Sequence, residues 1–434
     1  RNLAQILTKI SLFLGLIILI VSCDTTKRVP KGSYLLTKNT IIIDSTVNNQ
    51  FNVKSLLFQQ PNKKVLGFPL GLQVYNLANL HPDSTFQKWE HNKPNREKRM
   101  NNIYSKKQVD KIASNYIGFN KWIQKIGKKP TIIDEKILKK NIKYIDDYYS
   151  SFGWFNTESS YKIDTIKTKR ASITYYIKKN RPYLIGTLGE ELSSPIVDSL
   201  FQIIKDQSLI VTENQYSAND FNNERDRISQ NFRNSGLFYF DQSYIEFEAD
   251  SVKTDHKVNI IYKISDRTTR KNDTVREAHF KVHKISDVRI VTDYNYANRN
   301  KTIIDSVFFN GYYLYSYEKL KFFPKAITDA MAILPGKIFK DSERSLTYRQ
   351  ISDLKIFKYP KISYIEDPKD STGTDLIATI LLTSLKKYSL GLDLDVFTST
   401  IQQFGIGFKA SYSIRNVFRR AEILEISAKG RVGS

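Results

Sequence analysis

Five histidines, one cysteine and one adjacent acid pair are the residues with which this 434-residue chain could do chemistry. The histidines are His81, His91, His256, His279 and His283. His279 and His283 share a face if their segment is a strand, but neither an H-E-x-x-H pattern nor an acid cluster accompanies them. Asp146 and Asp147 could form a general acid/base pair, yet neighbours on a helix point apart, and a solvated helix end is the plainer reading. No G-x-S-x-G, phosphate-loop or dinucleotide fingerprint occurs. The side chains therefore indicate no catalytic residue, no metal and no cofactor. The expected class is a non-enzyme.

The cysteine has a context of its own. Arg1 and Lys9 flank a start that runs into residues 10–21, almost all apolar. That run suits a signal-peptide core and is too short to span a bilayer as a helix. Ser22 and Cys23 follow directly, and the stretch resembles a bacterial lipobox. On that reading residues 1–22 form a signal peptide and Cys23 becomes an acylated amino terminus, held at a membrane by about 0.8 kcal/mol per buried CH₂. A plain secretory signal with an incidental Cys23 is the alternative. Residues 24–28 contain one acid, so no acidic run marks the chain for the cell surface, and a periplasm-facing anchor is favoured. A lone cysteine also excludes a disulfide framework.

Lys and Arg number 67 against 44 Asp and Glu, a formal net charge of +23. Nucleic acid or anionic lipid would suit such an excess. However, the basic pairs, such as Lys63-Lys64 and Lys128-Lys129, are scattered and never reach a run of five. They read as charges spread over solvated faces, and export speaks against a nucleic-acid partner. A content of 41% hydrophobic and 26% charged residues excludes both a disordered chain and a polytopic helical membrane protein.

Stepping along the chain, one pattern recurs: an amphipathic helix, a Gly-aromatic break and two alternating strands. The first copy has a helix over 134–149 with Ile137, Leu138, Ile142 and Ile145 on one stripe. Gly153 then ends it, and strands follow at 161–166 and 171–177. The second has a helix over 220–232, Gly236, and strands at 244–247 and 258–264. A third, looser copy has a helix over 345–354 and strands near 362–365 and 376–382. Each unit opens with a further strand and helix: 183–185 with 195–205, and 280–291 with 317–331. The unit is thus β-α-α-β-β, with helices on one face of a three-stranded sheet. The strand over 34–44 opens the first unit, and an insertion at about 61–130 interrupts it. Within the insertion, residues 82–110 are polar and read as a mobile loop or linker.

The final segment changes period. Leu390, Leu392, Leu394 and Val396 alternate with polar residues or glycine. So do Ile406, Phe408, Ala410, Tyr412 and Ile414, and then Leu424, Ile426 and Ala428. Strands of this length with one apolar face match a transmembrane β-barrel, although a soluble sheet with one wet face would alternate in the same way.

Together these features resemble the BamA/TamA superfamily of outer-membrane assembly factors, with POTRA domains and a surface-antigen-type barrel. The motifs that carry the resemblance are Phe404-Gly-Ile-Gly-Phe408 and Arg415-Asn-Val-Phe-Arg-Arg-Ala-Glu422. The lipobox, Tyr75-Asn-Leu-Ala78 and Ile126-Gly-Lys-Lys-Pro130 look like its lipid-anchored TamL branch. One departure is Arg419-Arg420, where the family commonly carries Gly, which puts the local turn geometry in question. The fold class expected is therefore α+β POTRA-like repeats followed by the first strands of an antiparallel barrel. The domains expected are 1–22 signal, 23–180, 181–270 and 278–386 POTRA-like, and 387–434 barrel. Three strands cannot close a barrel, so the sequence reads as a piece truncated at its carboxyl end.

The resemblance also implies a mechanism. POTRA units receive unfolded outer-membrane protein clients, by pairing with exposed edge strands, and a seam at the first barrel strand templates them into outer-membrane lipid. Candidate edges are Tyr161, Lys162 and Ile163 and Tyr244, Ile245, Glu246 and Phe247; the candidate seam is Leu390, Leu392, Leu394 and Val396. A TamB-like periplasm-spanning partner is implied as well. The rival reading is a periplasmic scaffold lipoprotein that docks partners without insertase activity.

Overall fold

The computed structural model describes residues 24–433 except 49–50, 66, 94–95, 168, 272–273 and 398–404. Cys23 and the apolar run before it lie outside the described residues. The described residues fall into two compact units: those up to 184 together with 215–218, and 185–214 together with those from 219 on.

The first unit is built on a sheet of order β2-β1-β4-β3. Its strands are β1 (Leu35–Ile43), β2 (Thr46–Val47), β3 (Glu158–Lys167) and β4 (Arg170–Lys178). β4 runs parallel to β1 and antiparallel to β3, so the last strand in sequence lies in the middle. Ala171, Ile173, Tyr175 and Ile177 of β4 are buried, alternating with wetter neighbours as a half-covered strand must. The short helix α1 (Phe51–Ser55) follows β2. The insertion then adds α2 (Leu70–Leu77), α3 (Pro82–His91), α4 (Arg96–Ile103) and α5 (Lys106–Ile126). The expected loop at 82–110 is therefore helical. Pro82 sits at the start of α3, and the Gln108 side chain accepts the Ser105 N–H at 2.8 Å at the start of α5, a capping-box contact, so both helices carry a local start signal despite a polar composition. Helix α6 (Glu135–Ser150) covers the sheet with Leu138, Ile145 and Tyr149. Buried Asn141 on the same stripe donates to Tyr175 Oη at 2.8 Å, which satisfies both polar groups inside the core.

The second unit contains two further repeats. β5 (Leu184–Leu192), α7 (Pro195–Ile204), α8 (Ala218–Asn234), β6 (Ile245–Asp250) and β7 (Lys257–Ile264) give a sheet of order β5-β7-β6. A hairpin of β8 (Arg267–Lys271) and β9 (Thr274–Ala278) leads on.

The third repeat departs from a three-stranded sheet. It has five strands in the order β11-β12-β10-β14-β13, from β10 (Lys284–Val291), β11 (Asp305–Phe309), β12 (Tyr312–Ser316), β13 (Lys361–Glu366) and β14 (Asp375–Leu381). The helix expected over 317–331 shrinks to α9 (Pro324–Thr328), with α10 (Asp341–Asp353) as the long helix. Two causes are visible. Asn310 and Gly311 both take positive φ, 50° and 86°, and form the tight turn that joins β11 to β12. The Asp293 carboxylate, just after β10, then accepts from the N–H groups of Tyr317 at 2.9 Å and Glu318 at 3.1 Å, which ties the chain leaving β12 to that loop.

The last sheet is an antiparallel meander of β15 (Tyr388–Phe397), β16 (Gly405–Arg415) and β17 (Ile423–Gly433).

The helix-to-strand break works through backbone geometry. Gly153 and Gly236 have φ of 85° and 100°, where a side chain is strained. Beyond each glycine, Trp154 N–H reaches Tyr149 C=O at 3.1 Å and Leu237 N–H reaches Phe232 C=O at 3.1 Å, the six-residue closure that ends a helix. In the third copy Lys355 takes the left-handed position instead, at φ 55°.

Candidate functional site

Two features could receive an extended partner: sheet borders and one bare sheet face. Among the described residues β3 and β6 each have a neighbouring strand on one side only. Tyr161, Lys162 and Ile163 pair with Tyr175, Thr174 and Ile173 across β3–β4. Tyr161 and Ile163 pack against the core, whereas Lys162 points into solvent and pairs with Asp164 at 2.9 Å. A charged side chain on a border strand limits indiscriminate pairing.

Ile245, Glu246 and Phe247 pair with Ile264, Lys263 and Tyr262. Tyr244 belongs to the 3-10 turn just before β6, and its carbonyl accepts from Ser265 N–H. The Ile245 carbonyl accepts from Arg225 Nε at 3.1 Å, and the same guanidinium lies over the Phe247 ring. The start of this border is therefore guarded, and its accessible stretch lies further along.

The meander is the larger feature. Its pairing aligns Leu390 with Tyr412 and Ile426, Leu392 with Ala410 and Ala428, Leu394 with Phe408, and Val396 with Ile406 and Val432. One face is thereby a continuous apolar surface, on which Leu392 is 75% and Leu394 81% exposed. The other face is polar: Asp393 opposes Lys409 and Lys429, and Lys409 bonds Glu425 at 2.9 Å. Among the described residues nothing covers the apolar face. In water such a patch is strongly unfavourable, whereas in hydrocarbon the same face is matched. The strands are ten or eleven residues long, the length a tilted strand needs to cross a bilayer.

The meander is rooted in the third repeat. Arg415 Nη1 donates to Lys386 C=O at 3.0 Å, and Asn416 Nδ2 donates to Lys321 C=O at 2.9 Å. Arg419 Nη2 donates to Leu320 C=O at 2.8 Å, and Arg419 C=O accepts from Phe323 N–H at 2.7 Å. Ala421 is buried in the hydrophobic core of that repeat. Asn416, Arg419 and Ala421 have φ of 55°, 63° and 62°, so the turn is left-handed where glycine would be unstrained. Burial disfavours the Glu422 carboxylate, but N–H groups of the turn, Phe418 and Arg420 among them, bond it and hold its pKa below the usual range.

The remaining candidates scatter. His279 Nδ1 lies 2.7 Å from Asp266 Oδ2, while His283 is buried and faces the Gly236 carbonyl. They do not share a strand face, because residues 279–283 are irregular. Among the described residues no three His, Cys, Asp or Glu side chains converge as metal ligands would. Desolvation raises the pKa of half-buried Asp146, with a smaller contribution in the same direction from the neighbouring Asp147. No helix among the described residues is long and apolar enough to cross a membrane.

No family model and no curated protein matches the chain. Among solved structures it is similar to POTRA domains 3–5 of Haemophilus influenzae BamA, at 9% identity over 82% of this chain and 100% of that one, with a TM-score of 0.32. It is similar also to Haemophilus ducreyi BamA lacking POTRA domains 1–3, at 11% identity, 58% of this chain, 37% of that one and a TM-score of 0.35. A third is POTRA1-3 of Omp85 from Anabaena, at 8% identity, 82% and 98% coverage and a TM-score of 0.21.

Proposed function

We propose that the chain is an outer-membrane protein assembly factor of the BamA/TamA type, in which POTRA-like repeats receive unfolded client strands and the meander opens a barrel wall. The observation that carries this reading is the bare apolar face centred on Leu392 and Leu394, joined to the five-stranded third repeat through a turn whose Ala421 is buried in that repeat's core. A client strand would pair with a border strand of a repeat, then with β15, whose outer border is unpaired among the described residues. Backbone pairing and burial of the client's apolar face in lipid would supply the free energy, so no nucleotide is needed. Lipid anchoring through Cys23, a periplasmic location of the repeats and a TamB-like partner belong to the same proposal and rest on the sequence resemblance.

The test is depletion of the protein followed by quantification of β-barrel proteins in the outer membrane. A fall in their folded amounts is expected. Unchanged amounts would support the scaffold-lipoprotein reading instead.

A further inference from the structure

The 82–129 segment gathers charge that looks scattered along the sequence. It holds twelve Lys and Arg against four acids. Helix α5 sorts this segment into three stripes. Val109 and Asn120 are buried and Ile123 half-buried where α5 packs on α2 and α3, and Tyr116 at the margin packs its ring against Phe86. Phe119, Trp122 and Ile126 recur at helical spacing on an outer stripe and are 59%, 55% and 49% exposed. Phe119 and Trp122 stack with ring centroids 6.0 Å apart. Lys107, Lys111 and Lys125 form the stripe beside them. Trp89 at the end of α3 is also exposed, with the Arg96 guanidinium over its ring.

An exposed aromatic stripe flanked by lysines suits one surface: the headgroup layer of an anionic bilayer. There indole and phenyl groups sit at the interface while the ammonium groups meet phosphate. A neutral apolar protein groove would leave the lysines unmatched. The amino-terminal segment gives an independent reason. Asn76 Nδ2 donates to Asp24 C=O at 3.1 Å, and Arg28 Nη2 donates to Ala78 C=O at 2.6 Å. The residue next to Cys23 is thus fixed to the end of α2, the helix on which α5 packs. A chain tethered at residue 23 would hold this helical layer within reach of the bilayer.

We propose that the outer stripe of α5, with Trp89, is a docking face for anionic phospholipid headgroups, separate from the sheet that would enter the membrane. Tethering adds to it but is not required.

The test uses the full chain carrying Cys23→Ala, so that acylation contributes nothing and failure of the anchor reading leaves the result intact. Tryptophan emission is followed on vesicles of phosphatidylcholine alone or mixed with phosphatidylglycerol, with bromine-labelled acyl chains as quencher. Stronger quenching on the phosphatidylglycerol vesicles, its excess reversed by high salt and cut in Trp122→Phe to what Trp89 contributes, is expected. Lys107→Gln, Lys111→Gln and Lys125→Gln should each weaken it about five-fold, at roughly 1 kcal/mol per basic residue near an anionic surface. Because the chain can also reach vesicles through its apolar sheet, the Trp122-dependent component decides. Its absence on anionic vesicles, or equal quenching on both compositions, would overturn the proposal. So would Trp122 already shielded from aqueous iodide before vesicles are added.

Discussion

The backbone carbonyl of Gly236 accepts the N–H of His283 at 2.9 Å, so the residue that ends a helix in the second repeat also receives the first residues of the third. His283 returns the favour with its own carbonyl, which accepts from Phe339 N–H at 2.9 Å. Its ring is buried between Phe238 and Tyr239, at centroid distances of 5.9 Å and 5.3 Å. The first unit shows the same arrangement: Tyr183 N–H bonds Gly153 C=O, and Tyr216 N–H bonds Tyr183 C=O.

This seam predicts a pH dependence. Burial lowers the His283 pKa, outweighing its backbone hydrogen bonds and the nearby Glu366, while Arg267 acts with burial. The unfolded chain therefore binds a proton more readily than the folded one, and stability rises with pH through this window. It should fall as pH drops below about 6.5, the unperturbed histidine value. Thermal melts at about pH 7.5 and 5.5 should differ more for the native chain than for His283→Gln; equal differences would refute the assignment.

The left-handed positions predict opposite signs for two substitutions. Gly236→Ala places a Cβ at φ 100° and 2.6 Å from Val282 Cγ1, and should destabilise by about 2–4 kcal/mol from backbone strain plus overpacking. Lys355→Gly relieves strain at φ 55° and should stabilise by about 0.5–1 kcal/mol. Chemical denaturation midpoints measure both.

A buried ion pair in the second repeat should be sensitive to the loss of one partner. Glu224 is fully buried and receives Arg227 through Nε at 2.8 Å and Nη2 at 2.7 Å, with Leu209 N–H at 3.0 Å. Arg227→Ala leaves that carboxylate without its cation and should cost about 3–5 kcal/mol. Arg227→Ala with Glu224→Gln should recover part of the loss in the same denaturation assay.

The membrane reading of the meander predicts face-dependent tolerance. Leu392→Arg should oppose insertion by about 2–4 kcal/mol at mid-bilayer, whereas Ser427→Arg on the opposite face should be tolerated. Carbonate extraction of membranes distinguishes the two, and equal behaviour would favour a soluble sheet.

Strand capture predicts a proline effect at β6. Of Glu246→Pro and Phe247→Pro, the one that removes an N–H pointing away from β7 leaves the ladder intact. That variant should keep its circular dichroism while client crosslinking falls.

The strand-rich parts of the fold were largely legible because glycine and period-2 alternation are local signals. Gly153 and Gly236 mark helix ends by a conformation other residues resist, and β7 buries alternate residues as its sequence reads. The third repeat reads more loosely since Lys355 occupies the glycine position. Its extra hairpin did have a signal, the Asn310-Gly311 pair between Phe308-Phe309 and Tyr312-Tyr313. The helices at 82–126 were obscured by a composition with few apolar residues, although Ser105 with Gln108 announces α5. The alternation at 388–433 fixes which side chains share a face, while the docking of Ala421 into a distant core has no local signature.

That docking constrains how the meander can open. At the turn between β16 and β17, Arg415, Asn416 and Arg419 grip loops of the third repeat, and Ala421 lies inside its core. The sheet is therefore clamped at its Tyr388 end, while its Val396 end carries no such attachment among the described residues. Separation of its strands should begin at the free end and travel toward the clamp, like a zip with a sewn base. Pulling on the third repeat would load the sheet along its length rather than peel it.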